Sequence, residues 1–493
     1  MTPNPFASTD DLRSAAPLRH ARSVTFAEPH RLRLGGELPS VTVAYETWGE
    51  LNADKSNAVL VCHAVSGDSH AASHREDPGD EPGWWESMIG PGKPVDTDRL
   101  FVVCSNVLGG CRGTTGPGCV DPRTGRRYAA AFPDVTIEDM VDVQVKLADH
   151  LGIARWRAVT GGSLGGQQTL VWGTRYPERV GMGIVVAASP RLNSQSLAFD
   201  VVGRNAIQRD PQFHGGDYYE QPKGPDVGLA IARMLGHITY LSAEAMQAKF
   251  DADRHHPRDV STDFEKLFSV GSYLAHQGQK FVERFDANSY IVLSKAMDRF
   301  DLGTDQAALI QSFRPSRCRW VVISYSSDWL FPPEQSRAMV DALIALNRPV
   351  TYTELTTDGG HDAFLLDEVI GRYGALVKSR LEHPRSRSIL PPPTEDESTD
   401  DPHAPNSDEG DATSIFHEDR LDYEQILELI EPGASVLDLG CGGGELLARL
   451  RQRGHRRVMG VEVVEDHILT AAARGLEVLD LDLEQGLGPF SDG

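Results

Sequence analysis

"TGGSLGGQQTL", Thr160 to Leu170, sets a serine between two glycine pairs directly after the apolar run Trp156 to Val159. Gly161-Gly162-Ser163-Leu164-Gly165 fits G-x-S-x-G, the pattern of a serine carried on a sharp strand-to-helix turn, where small residues let the backbone bend without collision. A bare match of five residues is common and would fit any glycine-rich turn. The flanks decide the reading: "RWRAV" supplies a strand and "QQTLVWGTRY" a helix. The helix start also offers free N–H groups and a partial positive charge beside Ser163, suited to a developing oxyanion.

Outward from this turn, short apolar runs alternate with amphipathic stretches. "SVTVAYETWG", "NAVLVCHAV", "DRLFVVCSNVLG", "RWRAVTGG", "MGIVVAAS" and "CRWVVISYSSD" read as six strands, while "TIEDMVDVQVKLADHLGI" and "LGGQQTLVWGTRYPERV" have helical spacing. Val- and Ile-rich runs without a solvated face suit a buried, mostly parallel sheet with helices on both sides. From about 191 to 315 the alternation stops, and a helical lid inserted on the sheet is expected.

A serine hydroxyl needs a base, and the base needs an acid to fix its tautomer. In the matching chain order the acid follows the serine and the histidine follows the acid. "VVISYSSDWLFPP" ends a strand with Asp328, and "DGGHDAFL" presents His361 in a loop after two glycines. Asp358 and Asp362 flank His361 as rival acids but end no strand. The three chosen residues follow separate strands and would meet at the carboxyl edge of one sheet. A second oxyanion donor is expected from "LVCHAVSGDSHAA", as the backbone N–H of Val65 beside that of Leu164. In the same loop His63 reads as a structural hydrogen-bonding residue.

The chain has 493 residues, 40% of them hydrophobic, and a formal net charge of −23. A basic surface for nucleic acid or an anionic membrane is absent from that balance, so small-molecule ligands are expected. No run of about 18 apolar residues occurs and the N-terminus lacks a signal-peptide core, which places the protein in the cytoplasm. Six cysteines, without CxxC pairs or zinc-site spacing, read as reduced thiols, and no metal is expected. Residues 383–414 are rich in proline, serine and acid, the composition of a disordered linker. The expected division is therefore 1–382, the linker at 383–414, and a second unit at 415–493.

Together, "HAVSGDSHAA", "GWWESMIGPGKPVDTDRLFVVCSNVLGGCRGTTGP", "GGSLGGQQTLVW", "ARMLGHITYLS", "RFDANSYIVLSKAMDRFD", "SDWLFPP" and "GGHDAFL" resemble the homoserine O-acyltransferase family of methionine biosynthesis, MetX type, over roughly Val24 to Glu382. The resemblance implies an α/β-hydrolase fold and a homodimer. It also implies ping-pong transfer of an acyl group from acyl-CoA to the hydroxyl of L-homoserine, with no permanently bound cofactor. Ser163 would take the acyl group, His361 would shuttle protons and Asp328 would orient His361. Arg233 and Asp362 would hold the substrate, an arginine suiting a carboxylate and an aspartate an ammonium. On its own Arg233 reads as a solvated helix residue. The family often has Met where this chain has Leu164, which leaves the backbone N–H unchanged.

The family divides between acetyl-CoA and succinyl-CoA. Succinyl users tend to carry "DWRF" after the acid, to pair the donor's carboxylate; here Leu330 stands in place of that arginine, so acetyl-CoA is expected. A cation for a succinyl group could also come from elsewhere in the chain, for instance Arg112 in "GGCRGTTGP". A serine hydrolase, or a non-catalytic partner in a methionine-pathway complex, remains the alternative class, since transferase and hydrolase share the triad and differ in whether water reaches the acyl-enzyme.

Past the linker, "GASVLDLGCGGGELLARLRQRGHRRVMGVEV" and "DLDLEQGLGPFSDG" resemble the MetW family, at the start of a Rossmann-like S-adenosylmethionine-dependent methyltransferase unit. The resemblance puts Asp438, Gly440 and Gly442 at the cofactor's amino-acid end and Glu462 at its ribose. With about three strands before Gly493, a truncated, inactive module is expected.

Overall fold

In the computed structural model, residues 16–382, 422–485 and 490 are described; the linker expected at 383–414 lies outside them. The core is one sheet. Its strands in chain order are β1 (Arg22–Phe26), β2 (Val41–Trp48), β3 (Ala58–Cys62), β4 (Phe101–Ser105), β5 (Ala158–Gly162), β6 (Met182–Val186), β7 (Arg319–Tyr325), β8 (Val350–Leu355), β9 (Val436–Leu439), β10 (Val458–Glu462) and β11 (Glu477–Asp480). They lie side by side as β1-β2-β4-β3-β5-β6-β7-β8-β11-β10-β9. β1 and β2 pair antiparallel, as do β2 and β4, and every other neighbouring pair is parallel.

All six strands expected from the apolar runs are present. β3, β5 and β6 are buried at every position, as strands covered on both faces must be. Two helices, α1 (Ile137–Leu151) and α2 (Leu164–Arg175), flank the central strands. α1 starts on a capping box: the Thr136 side chain accepts from the Asp139 amide, and the Asp139 carboxylate accepts from the Thr136 amide at 2.9 Å. It ends at Gly152, whose φ of 69° is the left-handed cap that glycine takes without strain.

The inserted stretch is helical as expected: α3 (Ser194–Gln208), α4 (Asp226–Tyr240), α5 (Ala243–Phe250), α6 (Ser269–Val282), α7 (Ala287–Arg299) and α8 (Gln306–Phe313) come between β6 and β7. Then α9 (Pro333–Ala345) and α10 (Asp367–Glu382) bracket β8. Among the described residues no helix is long and apolar enough to cross a membrane.

The second unit expected at 415–493 does not build a sheet of its own. β11 adds to β8 in parallel, Tyr352 facing Leu479, so that β11, β10 and β9 extend the first unit's sheet. Three helices complete this region: α11 (Asp422–Leu429), α12 (Glu445–Gln452) and α13 (Glu465–Ala473), the last packed on α10. The seam is polar and buried. Glu477 pairs with Arg319, and its other oxygen accepts from the Thr351 hydroxyl at 3.2 Å. Arg380 donates to Thr351 Oγ1 at 2.6 Å, to the Gly475 carbonyl at 2.8 Å and to the Leu476 carbonyl. Burial alone would push the Glu477 carboxyl up, but Arg380, Arg319 and Arg451 outweigh it and hold the group below the usual range.

Candidate active site

The turn after β5 is built for one side chain. Ser163 has φ 58° and ψ −125°, a strained conformation held because its amide donates to the Val186 and Ala187 carbonyls at 3.1 and 3.2 Å. The flanking glycines are demanded by space: a Cβ on Gly161 would lie 2.4 Å from the Cys62 carbonyl oxygen, and one on Gly165 would lie 2.0 Å from it. The serine thus leaves the carboxyl end of β5 at the start of α2. As first residue of that helix, Leu164 has an amide with no intrahelical acceptor.

Asp328 follows β7 and His361 follows β8. His361 Nδ1 and Asp328 Oδ2 are 2.8 Å apart, and Asp328 Oδ1 accepts from the Leu330 and Phe331 amides at 3.0 and 2.9 Å. The Gly360 amide donates to Ser327 Oγ at 2.9 Å, tying the two loops together. Asp328, His361 and Ser163 are buried at 2%, 3% and 4% exposure. Of the rival acids, Asp358 is exposed and Asp362 half-buried, and neither takes the imidazole hydrogen bond that Asp328 takes. Burial disfavours the charged His361 ring, but the Asp328 charge and hydrogen bond, with Asp362 adding to them, hold its pKa above the ordinary imidazole value.

A cavity of about 40 Å³ opens over Ser163 and His361, bounded by Val65, Leu330, Phe331 and Tyr240. Apart from His361, no basic side chain lines it among the described residues. Asp200, on α3, does line it. One of its oxygens is buried without a hydrogen-bond partner, and burial together with the facing Asp298 carboxyl holds Asp200 well above the usual carboxylate range. Asp200 was missed by sequence reasoning, although an acid inside the apolar run "LAFDVV" was a signal of a buried polar function.

Arg233, on α4, stacks its guanidinium over the rings of Tyr240 and Phe281, at 5.4 and 4.9 Å. Burial pushes the Asp362 carboxyl up, with His361 and Arg233 opposing, so the two residues expected to hold substrate share one electrostatic neighbourhood beside the histidine. Arg112 is buried and donates to the Arg284 carbonyl at 2.9 Å; it does not line the cavity. His63 is structural: its Nε2 accepts from the Val107 amide at 3.1 Å, and Nδ1 lies 2.7 Å from the Ala64 carbonyl.

In the C-terminal region Asp438 lies on β9, and the turn after it passes through Gly440 and Gly442 at φ 76° and 53°. Glu462 ends β10. Its carboxylate accepts from the amides of Gly442, Val463 and Val464 at 2.8, 2.8 and 2.9 Å. The four residues of the suggested nucleoside site are therefore neighbours; Glu462 Oε1 accepts two backbone bonds and Oε2 one, which leaves Oε2 a free lone pair. That oxygen can still accept from a ribose hydroxyl.

Comparisons with known proteins bear on both regions. Residues 57–368 match the family described as alpha/beta hydrolase fold, and residues 420–493 the family described as Methionine biosynthesis protein MetW. The bifunctional methionine biosynthesis protein MetXA/MetW of Rhodopirellula baltica is 56% identical, over 99% of this chain and 76% of its own length. A homoserine O-succinyltransferase of Halorhodospira halophila is 52% identical, over 71% of this chain and 91% of its own length. Among solved structures, the homoserine O-acetyltransferase from Bacillus anthracis superposes with a TM-score of 0.65 at 28% identity, covering 74% of this chain and 98% of that one. Esterase E22 does so with 0.66 at 28%, covering 73% and 100%.

Proposed function

The chain belongs to the homoserine O-acyltransferases of the α/β-hydrolase fold and carries a MetW region at its C-terminus, and from that premise we propose that it transfers an acetyl group from acetyl-CoA to the hydroxyl of L-homoserine. The observation that carries the mechanism is the chain of groups from Asp328 through His361 to the cavity over Ser163. His361 takes the Ser163 hydroxyl proton as Oγ attacks the thioester carbonyl, while Asp328 holds the ring and stabilises the imidazolium. The amides of Leu164 and Val65 face the developing oxyanion. Collapse breaks the C–S bond, and the CoA thiolate leaves with the proton from His361. In the second half, His361 deprotonates the homoserine hydroxyl as it attacks the acyl-serine; the bond between Ser163 Oγ and the acyl carbon breaks, His361 returns the proton to Ser163, and O-acetyl-L-homoserine leaves. Arg233 pairs with the substrate carboxylate and Asp362 with its ammonium.

The choice of acetyl rests on the cavity. A succinyl group would bring a carboxylate beside Ser163, and an unpaired buried charge is costly. The lining offers Leu330 and the acid Asp200, and no arginine or lysine. A pocket of about 40 Å³ with an acid and no cation to receive a second carboxylate suits an acetyl group. The homodimer expected for the family is supported by an exposed apolar face on the lid, with Val201 and Val202 on α3 and Val227, Ile231 and Ile238 on α4.

The test is kcat/KM for acetyl-CoA and succinyl-CoA with L-homoserine, read as release of free thiol. Preference for acetyl-CoA, dependent on homoserine, supports the reading. Preference for succinyl-CoA moves the chain to the other donor class, and thiol release indifferent to homoserine marks a hydrolase.

A further inference from the structure

Away from the acyl cavity, β2 and the loop after β3 bring together a group of side chains that the acyl-transfer chemistry does not use. Glu46, on β2, is fully buried, and its Oε2 lies 2.9 Å from His70 Nδ1 and 2.9 Å from His74 Nε2. All three donor atoms lie within 4.8 Å of one another. The His74 ring stacks on Trp48 at 5.2 Å between centroids and borders a cavity of about 530 Å³ that His20 and Trp48 also line.

The hydrogen-bond directions limit what can sit between these atoms. His70 Nε2 lies 2.8 Å from the Glu81 carbonyl, which only accepts, so Nε2 carries a hydrogen. In a neutral ring the Nδ1 lone pair then points at a carboxylate oxygen. That contact is repulsive unless a cation lies between them. In the metal-free chain a proton on Nδ1, donated to Glu46 Oε2, fills the role.

The same directions suit a metal ion. A ligating histidine commonly donates its other N–H to a backbone carbonyl, as His70 does, and a ligating carboxylate is commonly braced by a hydrogen bond, as Ser69 Oγ braces Glu46 Oε1 at 2.9 Å. With metal–ligand bonds of about 2.0–2.2 Å in a tetrahedron, ligand atoms sit roughly 3.3 Å apart, so the two 2.9 Å separations from Glu46 Oε2 need to open by only a few tenths of an ångström. Neighbouring His20, Asp77 and Asp80 form a separate set, already compensated by Arg19 on Asp77 at 2.7 Å.

We propose that Glu46 Oε2, His70 Nδ1 and His74 Nε2 bind a divalent transition-metal ion of the Zn²⁺ class, with a fourth position left to water on the side of the cavity. Two imidazoles and one carboxylate are a donor set for zinc, cobalt or ferrous iron, and too nitrogen-rich for calcium or magnesium. Cysteine and histidine spacing could not announce the site, because the carboxylate comes from a strand 24 residues before the first histidine. The ion would tie β2 to the loop between β3 and β4.

The test uses the untagged full-length chain, stripped with chelator and then titrated with ZnCl₂ and, separately, CoCl₂. Expected are one ion per chain and, for cobalt, the intense visible bands of a four-coordinate nitrogen and oxygen site. His74→Ala and Glu46→Gln should weaken binding by at least about 100-fold. Ser69→Ala, which removes only the brace and is mild for folding, should weaken it roughly tenfold. Absence of stoichiometric uptake by the wild-type chain at 100-fold excess zinc overturns the proposal, and so does a Ser69→Ala chain that titrates like wild type.

Discussion

Glu477 on β11 reaches past β8 to pair with Arg319 on β7, so a residue of the C-terminal region neutralises an arginine two strands inside the acyltransferase sheet. Both lie at the amino ends of their strands, opposite the edge that carries Ser163. Removing Glu477 leaves the buried Arg380 and the half-buried Arg319 without their counter-charge, a defect worth about 3–5 kcal/mol. Glu477→Ala is expected to lower Tm by several degrees while kcat/KM at 25 °C stays close to wild type. Thermal unfolding and a homoserine-dependent thiol assay check the two halves.

A chain stopped after Glu382 loses more. It uncovers the β8 edge, an unpaired strand that invites other chains to add on. It also loses Glu465, which accepts from the Thr356 amide at 3.2 Å and pairs with Arg372, five residues before His361 in the first case. Lower kcat and self-association in size-exclusion chromatography are expected. Unchanged kcat with a monodisperse profile would show that the acyl-transfer site does not need the C-terminal region.

Ser163→Ala is expected to abolish acyl transfer without changing Tm appreciably. Asp328→Asn should cost on the order of 10⁴ in kcat if the acid sets the histidine tautomer as in the serine proteases. Single-turnover acyl-enzyme formation, followed by mass spectrometry, separates loss of the nucleophile from loss of its base.

His361 acts as base only when neutral, and its pKa is raised because Asp328 stabilises the charged ring. The acid limb of kcat/KM should therefore lie above the ordinary imidazole value of about 6.5, with activity rising as pH increases through it. In Asp328→Asn the residual activity should show that limb at lower pH. A pH–rate profile of both chains reads the shift directly.

Leu330→Arg places a cation on the cavity wall beside Ser163 and His361. The ratio of kcat/KM for succinyl-CoA over acetyl-CoA should rise at least tenfold, since the donor's carboxylate then has a partner. An unchanged ratio would show that the acyl group lies elsewhere.

How much the sequence disclosed depended on whether a residue's role showed in its neighbours. The elbow was legible because glycine at 161 and 165 is forced by close backbone approach, and the central strands because burial on both faces demands unbroken apolar runs. β8 escaped notice because "VTYTEL" looks half polar. Its Thr351 and Thr353 are nevertheless fully buried, and Thr351 is satisfied by Glu477 and Arg380, residues remote in sequence. Asp200 and the Glu46–His70–His74 group escaped for the same reason: their partners come from other elements, and no local period records such pairings.

The join between β8 and β11 has a consequence for supply. Were the two regions separate polypeptides, the fraction of acyltransferase with a covered edge would follow their concentrations and dissociation constant. Carried on one chain, docking becomes an intramolecular event, and its occupancy no longer depends on dilution or on matched expression. Each molecule synthesised brings its own cover in a fixed one-to-one ratio, so a cell can vary the amount of enzyme without disturbing that balance.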